Sequence, residues 1–177
     1  MDAAGNDRGR IVVGIDGSTH ADDALRYAVA EAALRGLPVR AVAAHEPPDA
    51  WLSPYGLPLI ADSGEVREAV EDSARTRVEA VRSELDETER AVPVEVVAVT
   101  GPATWVLVQE AQRADLLVVG HRGRGALSST LLGSVGLSVV LRAPCPVTVV
   151  PSPRRATDVA TDDSSAEADP LSVGPTA

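Results

Sequence analysis

Glycine and arginine converge in one short stretch of this 177-residue chain. An apolar run, Leu116-Leu117-Val118-Val119, ends at Gly120; His121, Arg122, Gly123, Arg124 and Gly125 follow, and Gly133-Ser134-Val135 opens a second apolar segment. Glycines let backbone N–H groups approach a phosphate with no Cβ in the way, and the first-turn amides of a helix are donors at its positive end. Arg122 and Arg124 are placed to form charge-assisted bonds to phosphate oxygens. The spacing Gly120-x2-Gly123-x9-Gly133-Ser134, after a strand and before a helix, therefore reads as a phosphate cradle.

Two common phosphate loops are excluded. The P-loop ends in a lysine, whereas all sixteen Lys+Arg residues of this chain are Arg. The dinucleotide fingerprint G-x-G-x-x-G belongs beside the first strand, with an acidic residue about twenty positions on, and the chain has no such pattern there. A second candidate group is Asp16, in Gly14-Ile15-Asp16-Gly17-Ser18 at the end of the first apolar run. Asp is also a favoured helix N-cap, so two roles are open to it: ligand contact and capping.

These residues need a scaffold that brings them together. Apolar runs read as buried strands at 10–15, Val39–His45, 94–99, 116–119 and 146–150. Helical periodicity covers Thr19–Arg35, 64–90, 101–113 and 133–141. The second of these helices carries Val66, Ala69, Val70, Ala74, Val78, Val81 and Leu85 on one stripe. Strands joined each time by a helix imply a parallel sheet with right-handed crossovers, and their continuous apolar character implies cover on both faces. The fold class is α/β: a doubly wound domain with a five-stranded parallel sheet. In such sheets ligands bind beyond the carboxyl ends of the strands, where strand order reverses, so Asp16 and the glycine loop are expected on one edge.

With no Phe in the chain, the core must come from Val, Leu, Ala and Ile, and Trp105 in the helix 101–113 is read as a core residue. Trp51 and Tyr55 lie in the proline-containing segment 46–63, read as a long loop or a lid, two roles that stay open to its aromatics. A net charge of −10 argues against nucleic acid and against an anionic membrane surface as partners. No apolar run approaches the roughly 18 residues of a membrane span. Residues 1–9 read as a polar flexible leader and not as a signal peptide, 10–151 as the folded domain, and 152–177 as a disordered acidic tail. The lone Cys145 forms no internal disulfide and no cysteine-based metal site, so the expected location is cytoplasmic. Its roles are a small buried hydrophobe or a redox sensor. His20 and His45 show no metal-ligand spacing; His121 is read as a ligand or water contact, and Ser128, Ser129 and Thr130 as loop filler or phosphorylation sites.

The chain resembles the universal stress protein family, in its ATP-binding branch. The resemblance rests on Ile-Val-Val-Gly-Ile-Asp-Gly-Ser at 11–18, Ala-Asp-Leu-Leu-Val-Val-Gly at 114–120, the glycine spacing above, and Cys-Pro-Val-Thr-Val-Val at 145–150. It implies strand order 3-2-1-4-5, a homodimer through strand Val147–Val150, and ATP held with Mg²⁺ bridging its phosphates. It implies nucleoside contact by Asp16 beside Gly14, phosphate contact by Gly120, Gly123, Gly133 and Ser134, and an adenine pocket near Ala43 and Ala44. The function implied is regulatory, in stress or dormancy. Two alternatives stay open: a dimeric scaffold without significant nucleotide binding, and a very slow ATPase, since no water-activating group is visible in the loop. A synthetase of related architecture would carry an S-G-G-x-D-S-type loop after strand one, which this chain lacks.

Overall fold

A computed structural model describes residues 9–46, 63–123 and 132–151. The leader 1–8, Trp51 and Tyr55, Arg124 and Gly125, Ser128 to Thr130, and the tail 152–177 lie outside the described residues. The elements run β1 (Ile11–Gly14), α1 (Thr19–Arg35), β2 (Val39–His45), α2 (Ser63–Ser83), α3 (Glu87–Arg90), β3 (Val94–Thr100), α4 (Ala103–Glu110), β4 (Leu116–Gly120), α5 (Ser134–Arg142) and β5 (Val147–Val150). All strand pairs are parallel, in the order β3-β2-β1-β4-β5.

Strand order reverses between β1 and β4. The chain leaves β1 toward β2 on one side, whereas β4 sits on the other, with Val13 opposite Val118. Loops after these two strands diverge and leave a crevice at their carboxyl ends.

Alternate residues of each strand feed two separate cores. Ile11, Val13, Ala41, Ala43 and Val118 pack with α1 and α2, on a face where Ala24, Ala28 and Ala32 bring α1 close to the sheet. Val12, Val42, Leu117 and Val119 face Val106, Leu107 and Ala111 near α4 and Val139 of α5. Helix α1 starts at Ser18, whose Oγ accepts from the Ala21 N–H (3.2 Å), and ends at Gly36 in the left-handed region (φ 66°).

Two sequence expectations need correction. The helix expected over 64–90 stops at Ser83, and a new turn, α3, begins after Asp86. Asp86 accepts from the Glu89 N–H (2.9 Å) while the Glu89 carboxylate accepts from the Asp86 N–H (3.3 Å). This capping box ends the long helix because the same amides are no longer spent on i−4 carbonyls. Ala69, assigned to the buried stripe, is exposed, and burial begins at Ala74. Trp105 is not core either: it is 56% exposed. Helix α4 has only eight residues, its inner face is taken by Val106 and Leu107, and the indole lies over Gly101 at the helix start.

Candidate functional site

A cavity of about 490 Å³ opens in the crevice between β1 and β4, within the size range of small-molecule sites. Its walls divide by chemistry. One end is apolar, with Val42, Ala44, Ala103, Leu107 and Val119; the other holds Asp16, Arg122, Gly123, Gly133, Ser134 and Val135. Gly14 and Gly120 form the floor where β1 and β4 end.

Asp16 is fixed by the turn that follows it. Its Oδ1 accepts from the Ser18 N–H (3.0 Å) and from the Ser18 hydroxyl (2.6 Å), and Gly17 takes φ 79° to allow the turn. Ser18, not Asp16, caps α1, so the capping role open to Asp16 in the sequence is filled by its neighbour. The other carboxylate oxygen turns toward the glycine loop. A Cβ added at Gly123 would sit 2.9 Å from Asp16 Oδ2, which brings two segments a hundred residues apart into contact.

None of Gly120, Gly123 and Gly133 is among the positive-φ glycines of the described residues, which are Gly9, Gly17, Gly36 and Gly101. Gly120 and Gly123 sit where the chain comes close and not where it turns, whereas a Cβ at Gly133 would meet only ordinary contacts, 3.5 Å from Arg122 Cα and the His121 carbonyl oxygen. At Gly120 a Cβ would lie 2.6 Å from the His20 carbonyl oxygen, so this glycine seats the first turn of α1 on β4. Gly133 precedes α5 with φ −65° and ψ 155°, and no side chain caps that helix. Its N–H donates to the His121 carbonyl (2.8 Å), which folds the loop back onto its own start. The first turn of α5, Ser134 to Gly136, thus presents helix-terminal amides to the polar end of the cavity.

Of the candidate residues, Gly14, Asp16, Gly120, Arg122, Gly123, Gly133, Ser134 and Val135 share this cavity. Ala43 does not. Strand alternation turns its side chain into the core beneath α1 and α2, while Val42 and Ala44 face the cavity. His121 does not line it either, since its ring packs edge-on against His20, with centroids 4.5 Å apart. Arg124 and Gly125 lie outside the described residues. The sequence reading missed Ile15, Ala21, Val42, Val119, Ala103, Leu107 and Gly136; for Ala103 and Leu107 the signal was that Pro102 starts α4 at the same sheet edge. Burial pushes the Cys145 thiol above its ordinary value, which suits a packed thiol more than a reactive one.

The sequence profile of the universal stress protein family matches residues 8–151. The chain belongs to the universal stress protein family. A family member from Thermus aquaticus is 35% identical over 143 residues, covering 79% of this chain and 96% of that protein. A universal stress protein of Mycobacterium tuberculosis is 34% identical over 148 residues, which cover 80% of this chain but 48% of that protein. The chain thus spans about half the length of the mycobacterial relatives it matches. Among solved structures, a universal stress protein in complex with cAMP is 27% identical, with TM-score 0.57, covering 82% of this chain and 98% of that one. The universal stress protein UspA of Lactobacillus plantarum, 23% identical with TM-score 0.61 over 80% of this chain and 97% of that one, shares the fold.

Proposed function

We propose that this chain is an adenine-nucleotide-binding regulatory protein of the stress response, with ATP as its ligand. The observation that carries the reading is the meeting of the Asp16 carboxylate with Gly123 across the switch-point crevice. The apolar end of the cavity suits a purine base, Asp16 suits ribose hydroxyls, and the amides of α5 with Arg122 suit phosphates. The family relative in complex with cAMP supports an adenine nucleotide as the ligand class. Among the described residues there is no group of three or more His, Cys, Asp or Glu that could hold a metal ion. Mg²⁺ would accompany ATP on its phosphates, where it would neutralise charge alongside Arg122.

Among the described lining residues Asp16 is the one carboxylate, and this reading gives it to the ribose hydroxyls and not to a water, which favours a regulatory role over rapid turnover. The ligand acts instead by occupancy. Helix α5 carries Leu137 and Leu141 on its outer side, 51% and 75% exposed, next to the last strand of the sheet. A homodimer through β5 and this helix gives nucleotide occupancy a surface to act on.

Mg-ATP should raise the melting temperature by mass action, with stabilisation of about 2.7 kcal/mol when ligand reaches a hundredfold excess over Kd. A micromolar or weaker Kd is expected by calorimetry. An unchanged melting temperature in millimolar Mg-ATP would remove the proposal.

A further inference from the structure

We propose that His20 and His121 form a proton-sensitive brace that positions the nucleotide loop, so that nucleotide affinity falls as the pair takes up protons. The proposal rests on the nucleotide reading of the cavity.

The two imidazoles stand outside the cavity, behind its wall. His20 comes from the first turn of α1 and His121 from the loop after β4, and their rings meet edge to face at 4.5 Å with an interplanar angle of 65°. Backbone contacts make this pair a junction. The His20 carbonyl abuts Gly120, so closely that a Cβ there would lie 2.6 Å away. The His121 N–H donates to the Val150 carbonyl (3.0 Å), and the His121 carbonyl accepts from the Gly133 N–H (2.8 Å). One residue therefore joins the end of β5, the start of α5 and the first turn of α1. Its neighbours Gly120, Arg122 and Gly133 all line the cavity.

The charges around the pair set the sign. From α1, His20 and Asp23 face His121; from its own loop, Arg122 does. Strand β5 and helix α5 meet it with backbone groups, Val150 and Gly133. Asp23 also pairs with Arg26 (3.2 Å), and the adjacent Asp22 is held by Arg77 (2.7 and 2.5 Å), so the carboxylates nearby already serve cations. Burial, then His20 and Arg122, disfavour the charged form of His121. Adding protons places like charges at ring-contact distance beside a third cation. Separating the rings relieves that repulsion and draws the loop away from α1, widening the gap between Gly123 and Asp16.

The experiment is calorimetric titration with Mg-ATP at pH 7.5 and 5.5, for the full chain and for the double variant His20→Gln, His121→Gln. Protonation of the nucleotide itself is common to both proteins and cancels in the comparison. The wild type should lose at least about threefold more affinity between the two pH values than the variant does, as linkage requires. Equal losses, or tighter binding by the wild type in acid, overturn the brace. Melting temperatures of both proteins without ligand, at the same two pH values, separate this proposal from its foundation. If neither protein binds Mg-ATP at pH 7.5, the nucleotide function fails. The brace is then judged by melting alone: a larger acid-induced drop in the wild type supports it, and equal drops overturn it. Should the double variant not fold, His20→Gln alone replaces it, with the same criteria.

Discussion

Two glycines in the same motif carry different demands. At Gly120 an added Cβ meets backbone, the His20 carbonyl at 2.6 Å, which cannot give way without moving α1. Gly120→Ala should therefore destabilise the fold by about 1–3 kcal/mol, as overpacking of a rigid site does. At Gly123 the added Cβ meets the end of a side chain, Asp16 Oδ2 at 2.9 Å, which can swing aside. Gly123→Ala should leave stability within about 0.5 kcal/mol of wild type, as for most exposed changes. It should nonetheless weaken Mg-ATP binding on the order of tenfold, since the displaced carboxylate leaves its place in the cavity. Urea unfolding and calorimetry on the two variants check the pair. Equal stability losses with equal affinity losses would contradict the division. A single motif thus holds one glycine for packing and one for the ligand, a distinction its spacing does not reveal.

At the level of elements, the helix boundaries were legible except where local hydrogen bonding competed. The end of Thr19–Arg35 is read from Gly36, which the structure shows as the C-cap, while at its start Ser18 takes the capping role that the sequence left open to Asp16. The 64–90 expectation followed the apolar stripe through Leu85 and overlooked Asp86-x-x-Glu89, which is itself a helix-start signal. Asp86→Ala removes the acceptor for the Glu89 N–H and should cost about 1 kcal/mol. Urea unfolding should show a lower midpoint with an unchanged slope. A midpoint within error of wild type would mean that α3 contributes nothing to stability. The Trp105 expectation failed for a related reason. Aromatic character argues for burial on average, but which side of an eight-residue helix meets the sheet depends on how α4 is rotated by Val106 and Leu107.

Across the whole molecule, the half-buried strand β5 at the sheet edge and the apolar outer side of α5 offer a margin for a second copy. Leu137, Val140 and Leu141 recur at i, i+3 and i+4, each more than 45% exposed. A dimer through this margin should appear as twice the chain mass by light scattering at concentrations on the order of tens of micromolar, and Leu141→Glu should shift it toward the monomer. A monomeric wild type in that range would contradict the dimer. Stability should also depend on acid in a defined direction. Burial holds the folded-state value of His121 below the ordinary 6.5. Above that ordinary value the ring is neutral in both states and the full contribution is present. As pH falls through 6.5 the unfolded chain binds the proton first, so stability declines until the folded value is passed. Chemical unfolding between pH 7.5 and 5 should show a decline that His121→Gln reduces; an identical decline in the variant would assign the effect to other groups.

The order of strands and helices, the phosphate-type glycine spacing and the placement of Asp16 at a strand end are local properties, because each depends on residues near one another along the chain. Apolar runs, caps and glycine positions report them directly. Tertiary structure alone decided that Val42 and Ala44, not Ala43, face the cavity, since a strand's parity has no meaning until its two covers are in place. It alone decided that Ser18 takes the cap and turns Asp16 toward Gly123. It alone set His20 against His121, a contact between segments separated by the whole β2–α4 excursion, which no spacing along the chain encodes.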